Sequence, residues 1–184
     1  LYGFVLHHHR LPCPDCADAV EGQCATIGAA VNDGMEDVIA SGDCAHDAGL
    51  LPRATLGITG RDAWGRIFTY RVTGHFADSV TSGAGCTPDS LHVSFGLCSE
   101  GNIDVIAAAG TSQYIARWIP ALIVSHGSNG ANTSSAHETE NLDGDAIFVD
   151  RDFSGDASSA FDDVVGWISP QVLRAKMVEA GILP

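Results

Sequence analysis

Two groups of side chains in this sequence have the types and spacing to do chemistry, and the first is sulfur. Cys13, Cys16, Cys24, Cys44, Cys86 and Cys98 make an even number, all within the first 98 residues, so pairwise oxidation is the leading use for them. Disulfides persist in oxidising compartments, and each restricts the unfolded chain by roughly 2–4 kcal/mol. Two rivals attach to Cys13-Pro14-Asp15-Cys16. A redox pair needs its first cysteine at a helix N-terminus in a βαβ unit, whereas Pro12 and Pro14 bracket Cys13 and no such alternation follows. Zinc needs a second CxxC or a closely spaced histidine pair, and Cys24, Cys44 and His46 offer ligands only at irregular separations.

The second group is acidic. Glu138, Glu140, Asn141, Asp143 and Asp145 crowd around Gly144, and Asp150, Asp152, Asp156, Asp162 and Asp163 follow. Hard oxygen donors in a glycine-containing loop are what Ca2+ binds, so the five residues from Glu138 to Asp145 are a candidate calcium site. Their spacing is not that of an EF-hand, since Gly144 sits between two aspartates and no glutamate closes the loop. The alternative is a solvated loop whose carboxylates accept hydrogen bonds from their own backbone.

Signatures of catalysis are weak, and no catalytic residue is assigned. Gly127-Ser128-Asn129-Gly130 is one residue short of a nucleophile elbow, and Ser125 and His126 are neighbours whose side chains point to opposite faces of a strand. No phosphate loop or dinucleotide fingerprint is present. His7, His8 and His9 would diverge on a helix and do not chelate one ion. The expectation is a protein that is not an enzyme.

Charge narrows the partners. Twenty-three acids against nine bases give a formal charge of −14, and the bases form no run, so nucleic acid and anionic lipid are disfavoured. At 184 residues, 45% of them hydrophobic, the chain is long enough for one cored domain. No apolar run is long enough to span a bilayer. The opening LYGFVL resembles the end of an element that continues upstream.

The elements that must position these groups follow from periodicity. Residues 1–9 read as the end of a helix stopped by Pro12 and Pro14, and residues 13–53 as a long loop stapled by cysteines. Strand signals occupy residues 64–150. They cover Arg66 to Val72, an excursion with Leu91, Val93 and Phe95 at period two, Ile103 to Ala108, Ala121 to Ser125 and Ala146 to Val149. Residues 169–180 form a helix capped by Ser169, begun by Pro170 and ended by Gly181, with Val172, Leu173, Met177 and Val178 inward. Short strands in succession with helices at both ends predict an α+β domain with an antiparallel sheet.

Several phrases carry a resemblance. Arg10-Leu11-Pro12-Cys13-Pro14-Asp15, Gly49-Leu50-Leu51-Pro52 with Thr55-Leu56-Gly57, and Asp62-Ala63-Trp64-Gly65 before Tyr70-Arg71-Val72 lie in its first half. Ser125-His126-Gly127, Glu138 to Asp145, Phe161-Asp162-Asp163 with Trp167, and Ala180-Gly181-Ile182-Leu183-Pro184 lie in its second. Together they resemble minor type IV pilins and type II secretion pseudopilins, proteins with a prepilin-type N-terminal cleavage and methylation segment. The resemblance implies a pilin-like head in which Leu1 to Leu6 end a long helix, Phe4 packs on the sheet, and Trp64, Phe161 and Trp167 are core. It implies a structural, filament-associated subunit, periplasmic or extracellular, whose partners are other pilin or pseudopilin subunits. Both those contacts and membrane attachment would be made through a helix preceding residue 1. Cys86 with Cys98 and Cys16 with Cys24 would close short excursions, leaving Cys13 for Cys44, a pair the resemblance favours independently. Pseudopilins as a class also use calcium near the C-terminal end of the sheet. An adhesive tip module is the alternative, and Tyr114 or Trp118 would supply its exposed aromatic patch.

Overall fold

The structure, a computed structural model, describes residues 1–17, 24, 30–79, 93–130, 135–156 and 158–183. It begins with α1 (Tyr2–His8), which ends at His9, held at φ 60° with its amide on the Val5 carbonyl. This left-handed cap terminates the helix before Pro12 is reached. Val5 is fully buried, with Leu1, Tyr2 and Leu6 against the same core. Phe4 lies about 100° around the helix from Val5. Its ring stacks on His8 at 4.1 Å, with the Arg10 guanidinium 5.6 Å from its centre. Val5, and not Phe4, therefore seats the helix.

The chain then runs extended through Leu11, Pro12 and Cys13, all buried. Cys13 is bonded to Cys44, with Cα atoms 5.2 Å apart, and Cys16 to Cys24 at 6.1 Å. Cys98 is also in a disulfide, while Cys86 lies outside the described residues. Arg10 makes two 2.8 Å bonds to the Glu36 carboxylate, which also accepts the Cys13 amide. Asp15 and Leu50 exchange backbone hydrogen bonds of 3.0 and 2.8 Å. That approach is so close that a Cβ on Gly49 would lie 2.4 Å from the Asp15 carbonyl oxygen.

Inside the 13–53 segment read as a loop lies a first strand, β1 (Ala48–Leu50), and after it come β2 (Thr69–Val72), β3 (Ile103–Ile106), β4 (Tyr114–Ile119) and β5 (Ala121–Ser125). They are followed by α2 (Ala136–Glu140), β6 (Ile147–Val149), β7 (Val164–Trp167) and α3 (Pro170–Glu179). The molecule is α+β. One sheet, β1-β2-β5-β7, is antiparallel throughout, and a second has the order β4-β3-β6 with β3 and β6 parallel. Strands therefore extend to both sides of the 64–150 region, because β1 and β7 are the outer strands of the first sheet.

The apolar run Ala121-Leu122-Ile123-Val124 explains the layering. Tyr70 pairs with Ile123 and Val72 with Ala121, and these residues share one core with Val5 of α1 and with Leu173 and Met177 of α3. Leu122 and Val124 face the other way, onto Ile103, Val105, Ile119 and Phe148 of the second sheet. A strand covered on both faces needs no polar alternation. The chain changes sheets at Trp118, which has φ 55°, and at Pro120. Gly101 passes so close that a Cβ there would lie 2.0 Å from the Ile119 carbonyl oxygen.

Some expectations need correction. Val93 and Phe95 are buried but not in a strand, and residues 86–92 of the proposed excursion lie outside the described residues. In α3, Leu173 and Met177 are buried, whereas Val172 and Val178 are 44% and 42% exposed. An i, i+4 pair meets the core where a four-residue face would not fit. Trp64 is not core, being 50% exposed, while Phe161 is buried and Trp167 packs at the edge of the second core.

Candidate metal centre

Helix α2 begins at Ser135, whose hydroxyl accepts the Glu138 amide at 3.3 Å and donates to the Ala160 carbonyl. Ser135 and Glu138 have capping-box spacing, but the Glu138 carboxylate turns inward, where only 2% of the residue is exposed. There Asn129 donates to Glu138 Oε1 at 3.0 Å. Asn141 lies three residues on and is also buried. Its Nδ2 donates to the Val149 carbonyl at 3.1 Å and to Asp163 Oδ2 at 2.8 Å, while its Oδ1 accepts the Val149 amide at 2.7 Å.

The other wall is the segment leading into β7. Asp162 Oδ2 accepts the Ser128 amide at 2.7 Å and the Ser128 hydroxyl at 2.6 Å. Its Oδ1 is buried without a hydrogen-bond partner, and so is Asn129 Oδ1. Gly127, at φ 55°, permits this packing, since a Cβ there would lie 2.3 Å from Asp162 Oδ1. His126 shares its Nε2 with the Thr69 hydroxyl at 2.8 Å, leaving Nδ1 3.7 Å from Asp163 Oδ2. Ser125 instead donates to Asp62 Oδ2 at 2.8 Å, so these neighbours serve separate networks and form no nucleophile and base pair.

Ligand atoms of Glu138, Asp162 and Asp163 lie within 4.8 Å of one another. At an effective dielectric near 20, two like charges at that separation repel by roughly 3 kcal/mol, before solvent screening at the partly exposed Asp162. Three carboxylates, one of whose oxygens, Asp162 Oδ1, is buried without a hydrogen-bond partner, with no lysine or arginine bonded to them among the described residues, form a donor set suited to a hard divalent cation. Glu138, Asp162 and Asp163 are the residues that would hold it.

The five residues expected to bind calcium therefore divide. Glu138 and Asn141 turn inward; Glu140, Asp143 and Asp145 form a separate outer group, also within 4.8 Å of one another. Helix geometry separates them, because positions 138 and 141 share a face that 140 does not. In the outer loop Asp143 Oδ1 accepts the Asp145 amide at 3.0 Å and Asp145 Oδ1 accepts the Ile147 amide at 2.6 Å. Partial burial, then Asp143 and Asp145, push the Glu140 carboxyl above its ordinary range. The outer loop is thus held by its own backbone donors. The adjacent pair Asp162-Asp163 at the head of a strand was the signal available for the missing half of the inner site, and the turn residue Asn129 gave none.

Of the remaining residues singled out above, Cys13, Cys16, Cys24 and Cys44 are consumed by the two bridges, which removes them as thiolate ligands for zinc. Tyr114 and Trp118 are 46% and 51% exposed, with the Arg117 guanidinium 4.0 Å and 5.0 Å from their ring centres. No protein-family model, curated protein or solved structure matches this chain.

Proposed function

We propose that this chain is the head of a structural subunit of an extracytoplasmic filament of the type IV pilus or type II secretion pseudopilus kind, and that its buried carboxylate centre holds Ca2+. The observation that carries the reading is the seating of α1 on the antiparallel sheet, with Val5 in one core with Tyr70, Val72 and Leu173. A helix held in this way can transmit an assembly contact made upstream of residue 1 to the head. Paired cysteines place the chain in an oxidising compartment, which fits the periplasm or cell exterior. No helix among the described residues is long and apolar enough to cross a membrane. The role is mechanical and not catalytic, and calcium would join α2 to the start of β7 through oxygens of Glu138, Asp162 and Asp163.

A second reading, an adhesive or ligand-binding tip module, is favoured by the exposed Tyr114 and Trp118. Immunoelectron microscopy of the gene product at its native level separates the two. Label along filaments supports the shaft subunit, label confined to filament ends supports the tip module, and label absent from filaments overturns both.

A further inference from the structure

A cleft of about 470 Å³ opens beside the metal centre, and its composition points to a ligand. Trp64 and Phe153 line it, 50% and 77% exposed, with Val164, 61% exposed. Its other lining residues include Asp150, Asp152 and Asp162. Solvent-exposed aromatic rings around carboxylates serve neither a core nor solubility.

The backbone beneath the indole is fixed. Asp62 Oδ1 accepts the Trp64 amide at 3.0 Å and the Arg66 amide at 2.8 Å, while its Oδ2 takes the Ser125 hydroxyl of β5. The turn is thereby fixed to the central strand, and Trp64 projects from a rigid base. Phe153 is similarly placed next to Ser154, which exchanges two 2.9 Å backbone bonds with the buried Phe161. Rigid aromatic side chains cost little ordering entropy when they bind.

We infer that this cleft receives a protruding lysine or arginine side chain of a partner protein, its cation held between the faces of Trp64 and Phe153 and the carboxylates of Asp150 and Asp152. Charge complementarity selects this occupant. Among the described residues Arg151 is the only base lining the cleft, and the whole chain carries −14. Cation–π attraction and ion pairing act together at such a place. Asp150 and Asp152 take no part in the metal centre, so the cleft keeps its charge when the neighbouring carboxylates are neutralised. Burial, then the Asp152 charge, raise the Asp150 carboxyl above its ordinary range, and a cation beside it would offset both by attracting the charged form. The inference is independent of the filament reading.

The test is isothermal titration of the chain at low salt with a blocked tetralysine peptide, with its Nε-acetylated counterpart and with a neutral oligosaccharide, each in calcium and in chelator. Saturable tetralysine binding in calcium, weakened about tenfold by Nε-acetylation and by Trp64→Ala or Phe153→Ser, is expected. Both substitutions fall on exposed side chains, and unchanged melting temperatures verify the fold. Equal binding by the acetylated peptide, unaltered affinity in both variants, tetralysine binding only in chelator, or binding of the oligosaccharide alone would each overturn the inference.

Discussion

Asn141 holds Asp163: its side-chain Nδ2 donates to Asp163 Oδ2 at 2.8 Å while its Oδ1 takes the Val149 amide at 2.7 Å. One amide thus fixes α2, β6 and a carboxylate of the candidate metal centre. Asp163 is thus held by the protein itself, and a cation bound there, as proposed, would find this carboxylate already in place.

Calcium is therefore expected to raise the melting temperature. At a free concentration one hundred times Kd the folded state gains about 2.7 kcal/mol. Scanning calorimetry in calcium and in chelator measures it. Glu138→Gln and Asp163→Asn should remove the calcium-dependent gain, whereas Asp143→Ala with Asp145→Ala should retain it. Loss of the gain in the outer pair alone would move the site to the exposed loop.

The Cys13–Cys44 and Cys16–Cys24 bridges should differ in worth. Their sequence separations are 31 and 8, and loop-closure entropy then gives about 3.7 kcal/mol for Cys13–Cys44 and about 2.5 kcal/mol for Cys16–Cys24. Paired serine substitutions followed by urea denaturation test the order. Greater destabilisation on removing Cys16–Cys24 would contradict it.

Stability should rise on mild acidification. Asp15, Asp37 and Asp78 all have carboxyl groups raised above the ordinary range, burial being the largest cause in each. A raised folded value means the folded state holds the proton more tightly. The stabilisation is complete below the unfolded aspartate value of about 3.9 and is lost as pH rises through the raised values. Asp62 opposes this: burial raises it, but hydrogen bonds from Ser125, Arg66 and Trp64 leave it lowered overall. Its contribution is present above the unfolded value and disappears as pH falls through the folded one. Melting temperature in chelator should thus climb from pH 7 towards the acid side and fall again below about pH 4. Asp15→Asn should flatten the climb, and an unchanged profile in that variant would refute its assignment to Asp15.

Burying the Tyr70 side chain leaves its phenol dependent on one partner, the Pro12 carbonyl at 3.0 Å. Tyr70→Phe should cost about 1 kcal/mol in urea denaturation, because it removes a buried hydrogen bond while conserving volume. A loss near zero would mean that this bond does not tie the proline segment to β2.

The sequence made some of this legible for identifiable reasons. Ser169, Pro170 and Gly181 frame α3 because capping is local chemistry, and Ala121 to Ser125 is a strand because its apolar run is buried on both faces. Strand β1 was hidden in the stretch read as a stapled loop, and β4 and β7 also escaped notice. Tyr114 to Ile119 is mostly exposed, and Val164 to Trp167 is a short edge strand, so neither shows a clean alternation. The inner carboxylate centre was half visible, since Glu138 and Asn141 sit on one helix face, but Asp162 and Asp163 join them only through tertiary packing. Trp64 was placed in the core by the resemblance; Asp62 fixes a turn that presents it to solvent.

Membership of a filament, as proposed, depends on α1 staying seated on the sheet. The measurement is the amount of gene product in the sheared, sedimentable filament fraction of its native cells, for wild type and for Val5→Asp with normal total protein. Wild-type protein is expected in that fraction and should be lost from it in the variant, because a charge in the core would detach α1 from the sheet. Wild-type protein that remains wholly outside the filament fraction would overturn the proposal.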